Sequence, residues 1–136
     1  MNELQYVPHN YVLKVWGKVE PLVTKALKHN DGEMFSDDVL KSLLEKEYIL
    51  WVGVQDKEIL MAVVAEIIEY PRKKALNIIT WGTKSGYDYE LWMKEFYKIE
   101  HFAKVNGCSF IEAGTRKGLA KKLNWEYCCS VVRKHI

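Results

Sequence analysis

The sequence predicts an α+β domain built on one mixed sheet, with antiparallel strands followed by a parallel β-α-β crossover and helices on both faces. Three observations predict it. Apolar residues recur at helical spacing from Val12 to Leu27, through Val15, Trp16, Val19, Leu22, Val23 and Ala26. From Tyr48 onward the period changes, and runs rich in β-branched and aromatic residues alternate with short polar turns. From Ala75 to Ala113 a strand, a glycine-bearing turn, a helical pattern and another strand succeed one another, which is the order of a right-handed crossover between parallel strands.

Taken in order, the first helical pattern is interrupted by Pro21, so it reads either as a helix ending near Glu20 with a second starting at Pro21, or as one kinked helix. Gly32 is a stop. Ser36 has the character of an N-cap, with Asp37 and Asp38 in the first turn and Val39, Leu40, Leu43 and Leu44 as the buried face. Tyr48 to Gln55, the turn Asp56-Lys57-Glu58 and the run Ile59 to Tyr70 form a hairpin. Pro71-Arg72-Lys73 then turns the chain into Ala75 to Thr80. Ile59 to Ala65 is apolar at nearly every position, which predicts a middle strand covered on both faces, or by a helix on one and a ligand or partner on the other. A helix opens at Asp88, presents Leu91, Trp92, Glu95, Phe96, Ile99, Phe102 and Ala103 along one side, and closes at Asn106-Gly107. Cys108 to Ala113 is the next strand, Arg116 to Leu123 a short helix, and Trp125 to Val132 a final strand.

The 136 residues fit a single domain over 1–136, with no internal repeat, linker or low-complexity segment. With 49% hydrophobic and 28% charged residues the chain has the composition of a folded globular protein. No apolar run approaches the roughly 20 residues that cross a bilayer, and residues 1–10 lack the basic-then-apolar order of a signal peptide, so the expectation is an intracellular protein with no membrane partner. The net charge of +2 excludes little, but the last 21 residues carry six basic side chains against one acidic, Glu126. Such an end is a solvated face or, as the lesser reading, a contact for phosphate or nucleic acid. Cys108, Cys128 and Cys129 have no zinc-site spacing. The adjacent pair lies on the expected last strand, which makes buried, inert thiols the expectation.

A strand feeding a glycine-bearing turn that opens a helix is the arrangement in which backbone N–H groups and the positive end of the helix dipole hold an anion. Thr80, Trp81, Gly82, Thr83, Lys84, Ser85 and Gly86 occupy that place, ahead of Tyr87-Asp88. Gly82-Thr83-Lys84-Ser85 is not the end of a P-loop, because Thr83 stands where glycine is required and the first glycine is absent. Trp81 is a candidate for an exposed contact.

The element order, with Leu50-Trp51-Val52-Gly53-Val54 before Asp56-Lys57-Glu58-Ile59, and Gly107-Cys108 leading to Ile111-Glu112, Arg116 to Leu123 and Trp125-Glu126-Tyr127, resembles the GCN5-related N-acetyltransferase (GNAT) family. The segments Glu69 to Leu76 and Gly114 to Gly118 are similar to small acetyltransferase-like proteins of tailed phages and prophages. The resemblance covers roughly Val12 to Val132. It implies acetyl-CoA as cofactor, held at Thr80 to Gly86, and a small amine or a protein amine as acceptor. In that family the loop carries an Arg/Gln-x-x-Gly-x-Gly/Ala run. Here the arginine or glutamine is missing, the glycines are spaced differently, and Asp88 brings a negative charge to the helix start.

Amine attack on a thioester needs a base, an oxyanion donor and an acid for the leaving thiolate. Glu66, Glu69 and Glu112 are candidate bases, each with the alternative of a solvent-facing strand glutamate. The position matching the family's tyrosine acid is Asn124, so Tyr127 or Cys128 would have to serve, or simply packs. His9, His29, His101 and His135 form no catalytic set and no metal site. Two functions follow: an acetyl-CoA-dependent N-acetyltransferase in the cytoplasm of an infected bacterial host, or a degenerate, virion-associated or host-binding phage module on the same fold, with a phage or host protein as partner.

Overall fold

The computed structural model describes residues 2–29, 32–84, 90–114, 124–129 and 131–136. The strands β1 (Asn2–Val7), β2 (Ile49–Gln55), β3 (Glu58–Glu69), β4 (Lys74–Thr83) and β5 (Phe110–Ala113) form a five-stranded sheet in the order β1-β2-β3-β4-β5. The first three pairings are antiparallel, and β4 and β5 are parallel. The α+β architecture read from the sequence is therefore the observed one.

Helices α1 (Val12–Ala26) and α2 (Ser36–Leu44) cover one face of the sheet. There Val12, Val19, Leu22, Val23, Val39 and Leu43 pack on Leu50, Val52, Ala62 and Val64. The helical segments α3 (Glu90–Met93) and α4 (Tyr97–Val105) cover the other, with Trp92, Phe96, Ile99 and Ala103 on Trp51, Met61, Val63, Ala65, Leu76 and Ile78. β3 is thus covered by helices on both faces, which is what its unbroken apolar run requires.

Four details differ from the sequence expectation, each for a local reason. Residues 12–26 form one helix that runs through Pro21; the carbonyl that loses its donor belongs to Gly17, which has open space around it. The N-cap of α2 is Phe35 rather than Ser36, because Asp38 Oδ2 accepts the Phe35 N–H at 2.9 Å and draws the cap back by one residue. The expected single helix from Asp88 is broken at Lys94–Phe96, where Glu95 and Phe96 N–H groups bond Trp92 and Met93 carbonyls in tight three-residue turns. The expected strand Trp125–Val132 is not one among the described residues, and without a ladder to bury them Cys128 and Cys129 are exposed. The short helix Arg116–Leu123 lies outside the described residues.

β1 was not expected. Its alternation is weak, and what holds it is tertiary: Glu95 Oε1 accepts the Leu4 N–H at 3.1 Å, Lys98 Nζ donates to the Leu4 carbonyl at 3.1 Å, and the two side chains pair at 2.8 Å. That clamp satisfies the outer edge of β1 and ties it to the broken helix. The turns follow local chemistry. Asp56 and Lys57 both have left-handed φ (52° and 65°), which makes the β2–β3 hairpin a two-residue type I′ turn. α4 ends as expected at Gly107 (φ 80°), where Cys108 N–H bonds the Ala103 carbonyl at 2.9 Å and Gly107 N–H bonds that of Lys104 at 3.0 Å, a full Schellman cap.

Two glycines are dictated by close approach. A Cβ on Gly53 would lie 2.8 Å from the Trp92 ring, and one on Gly82 would lie 2.1 Å from the Leu22 carbonyl oxygen of α1. We expect Gly82→Ala to lose about 2–3 kcal/mol in urea unfolding, since backbone cannot retreat as a side chain can, while Gly17→Ala, helical and in open space, gains up to about 1 kcal/mol. Hydrogen bonding to Lys98 and to the Leu4 N–H holds the Glu95 carboxyl below its ordinary value of 4.5. Its contribution is present above that pH and lost as pH falls through the lowered value, so Glu95→Ala should cost about 1–3 kcal/mol at pH 7 and progressively less in acid titrations of unfolding.

Candidate functional site

β4 carries two features that define a site. Its register with β3 skips at Ile79, since Ile78 opposes Ala65 and Thr80 opposes Val64, so Ile79 is the extra residue of a β-bulge. Its pairing with β5 runs only from Ala75–Phe110 to Ile78–Ala113. From Ile79 to Thr83 β4 continues, still paired with β3 as far as Thr83 but with no β5 partner among the described residues. The bulge and the last β5 pair are adjacent, so the twist it adds falls where the strands part.

The residues expected to form a cofactor loop are distributed differently. Thr80 lies on β4 as expected, and Trp81, Gly82 and Thr83, expected in the turn, lie on the same strand. Gly82 faces α1, and its missing side chain serves helix packing. Trp81 is half-buried on the opposite face: its indole N–H meets Met61 Sδ at 3.0 Å, and its ring stacks on Phe96 at 5.8 Å, with Trp125 tilted against Phe96 at 5.7 Å. The exposed contact expected of Trp81 is thus a half-buried aromatic stack. Lys84 donates its N–H to the Leu60 carbonyl at 2.8 Å and pairs through its ammonium with Glu58. Thr83 O accepts from Lys25 Nζ at 2.8 Å, fastening the end of β4 to α1. Ser85 and Gly86 lie outside the described residues.

Thr80 is 3% exposed, and its Oγ1 has no hydrogen-bond partner. An unpaired buried hydroxyl is costly, and this one sits where β4 leaves β5.

The catalytic candidates come together in part. Glu66 opposes Asn77, and Asn77 opposes Glu112, so the three form a row across β3, β4 and β5 on one face of the sheet, that of α1 and α2. Two strand spacings put the glutamate backbones roughly 10 Å apart. Around the row stand Tyr48 and Tyr70. The Tyr70 hydroxyl donates to Glu112 Oε1 and its ring stacks on Phe110 at 6.2 Å. Burial and then the neighbouring Glu47 push the Glu66 carboxyl above its ordinary value. Burial, then Glu66, Glu47 and Asp38, push the Tyr48 phenol up, and the hydrogen bond to Glu112 does the same for Tyr70. The face is acidic and lined with neutral phenols. Glu69 instead pairs with Lys74 at 3.4 Å. Tyr127 and Cys128 are exposed. Asn77, Tyr48 and Tyr70 were missed by sequence reasoning; the one available signal was Asn77, the only polar residue in the run Ala75–Ile79.

Similarity to solved structures is strongest in shape. An aminoglycoside acetyltransferase from an uncultured soil metagenomic sample, in complex with sisomicin, matches with TM-score 0.74 at 12% identity over 99% of this chain and 95% of its own. The fold is that of the GNAT acetyltransferases. A GNAT family acetyltransferase from Staphylococcus aureus matches at 0.68 with 14% identity over 99% and 98% of the two chains. Aminoglycoside N-acetyltransferase AAC(6')-Iy, in complex with CoA, matches at 0.71 with 10% identity over 100% and 95%. No protein-family model and no curated protein sequence matches the chain. Among the described residues no group of three or more His, Cys, Asp and Glu could hold a metal, and no helix is long and apolar enough to cross a membrane.

The raised Glu66 carboxyl gives a stability test. A group protonated more readily when folded supports folding most below its ordinary pKa of 4.5, and that support is lost as pH rises through the raised value. Glu66→Gln is therefore expected to raise Tm at pH 8 and to lose that advantage below pH 4, as read by thermal unfolding across pH.

Proposed function

We propose that the chain is an acetyl-CoA-dependent N-acetyltransferase acting on a small amine or a protein amine. The observation that carries this reading is the parting of β4 from β5 at a bulge, beside a row of two glutamates. This reading lays an extended thioester arm along the part of β4 that β5 does not pair, Ile79 to Thr83. Acetyl-CoA, when bound, supplies the acyl group. The chain's own residues do the rest. Glu66 and Glu112 attract an ammonium to Asn77, and Glu66, with its affinity for a proton raised, takes the proton that must leave before the nitrogen can attack. Glu112 holds its place through Tyr70. Tyr127 is the proton donor proposed for the leaving thiolate.

The sisomicin-bound structure is that of an enzyme for a polycationic amine, and the acidic row here supports a cationic acceptor as well. The departures in Trp81–Asp88 favour a second reading, a non-catalytic phage or prophage module that binds a virion or host protein. Calorimetry separates them. We expect acetyl-CoA to bind and an amine panel to be acetylated, with Glu66→Gln lowering kcat/KM by roughly 10²-fold or more as a lost general base does. No heat and no thermal shift at millimolar acetyl-CoA would end the catalytic reading.

A further inference from the structure

At the β1 edge of the sheet, on the face that α4 covers, lies a cleft that acetyl transfer does not use. Tyr6 opposes Trp51 across β1 and β2, so their rings share that face. α4 presents Lys98, His101, Phe102 and Val105 on one stripe, at the i, i+3, i+4 and i+7 spacing of neighbours on a helix. Ile99 and Ala103 seat the helix on the sheet, while Lys98 reaches past them to the Leu4 carbonyl of β1. The stripe and the two ring-bearing strands line a cavity of about 300 Å³ that is open to solvent.

Three aromatic rings give the cleft its shape. Phe102 stands edge-on to Trp51, with centroids 5.1 Å apart at 88°, and lies nearly parallel to Tyr6 at 5.9 Å. Trp51 is buried, and Tyr6 is about half exposed. Rings set at right angles offer a flat guest a face and an edge together, the two contacts that aromatic pairs prefer. The volume is at the lower end for small-molecule sites, so the guest is small. The lining decides its charge. Lys98 and His101 are its basic residues, and no carboxylate lines it. Glu95 Oε1 is taken up by Lys98 and the Leu4 N–H, and Glu3, whose charge also reaches Lys98, alternates to the opposite face of β1. Of the three N–H groups on the Lys98 ammonium, the Leu4 carbonyl and Glu95 take two, which leaves one for a ligand. We propose that the cleft binds a small planar aromatic anion, its ring against Tyr6, Trp51 and Phe102 and its carboxylate or like group at Lys98 and His101. The site lies on the opposite face of the sheet from Glu66, Asn77 and Glu112, so it stands whether or not the chain transfers an acetyl group.

Calorimetry on the full chain at low salt tests this with three probes of one shape: 2-naphthoate, the neutral 2-naphthalenemethanol and the cationic 2-naphthylmethylammonium. We expect naphthoate to bind roughly two- to fivefold more tightly than the alcohol, the range a partly exposed charge pair supplies, and the ammonium to bind most weakly. Val105 is 70% exposed at the rim, so substitutions there leave the core intact. Val105→Lys should tighten naphthoate binding by a similar factor and Val105→Glu weaken it, with the alcohol changed less by either. Naphthoate that gives no heat, binds no better than either analogue, or ignores both Val105 variants overturns the proposal. So does a dimer of the chain that Val105→Glu dissociates, because the cleft is then a contact between copies.

Discussion

The structure depends on the burial of β3 on both faces. From Leu60 to Ala65 it carries no polar side chain, and each of these residues is almost fully buried. A strand of that kind cannot sit at an edge or face water, so two strands must flank it and two layers of helix must cover it. Buried apolar area at about 25 cal/mol per Å² is the main force available to do this. Leu60 is the extra residue in its pairing with β2, so Leu60 and Met61 fall in the same cluster, and Gly53, opposite Met61, leaves room for the Trp92 ring.

The course of β4 beyond its β5 partner follows from the same packing. α1 lies so close to β4 that Gly82 meets the Leu22 carbonyl, and Lys25 holds Thr83 to the helix. The far end of β4 is thus pulled onto α1, while its near end is held in the sheet by β5 from Ala75 to Ile78. A strand fastened to different partners at its two ends has to twist between them, and the bulge at Ile79 is where the extra residue takes up that twist. The parting of β4 from β5 is in this sense a product of core packing rather than of the loop that follows.

This explains what could be read from the sequence. Periodicity exposed α1, α2, β2, β3, β4 and β5, because each depends on a local pattern of apolar residues or on a turn such as Asp56-Lys57 or Asn106-Gly107. It missed β1, whose placement rests on Glu95 and Lys98 more than ninety residues away. It misplaced Trp81–Thr83 for a related reason: glycine in a strand and glycine in a loop are the same letter, and only the approach of Leu22 tells them apart. Glu66 and Glu112 were legible as strand glutamates, but their meeting across Asn77 needs the register of two pairings, one antiparallel and one parallel, which no local pattern encodes.

The register also explains why chemistry collects on one face. In a pleated sheet a residue and its cross-strand partners point the same way, so Ile67, Leu76 and Ile111 share the α4 face while Glu66, Asn77 and Glu112 share the opposite one. On the α4 side Leu76 is fully buried and Ile67 and Ile111 are partly so. α1 and α2 cover only part of the other face, reaching Ala62 and Val64 and stopping short of the acidic row. Two buried carboxylates would need ionic or hydrogen-bonded partners to remain charged. Glu66, left at the rim of that helical cover, is half-buried, and burial followed by the neighbouring Glu47 raises its carboxyl above the ordinary value.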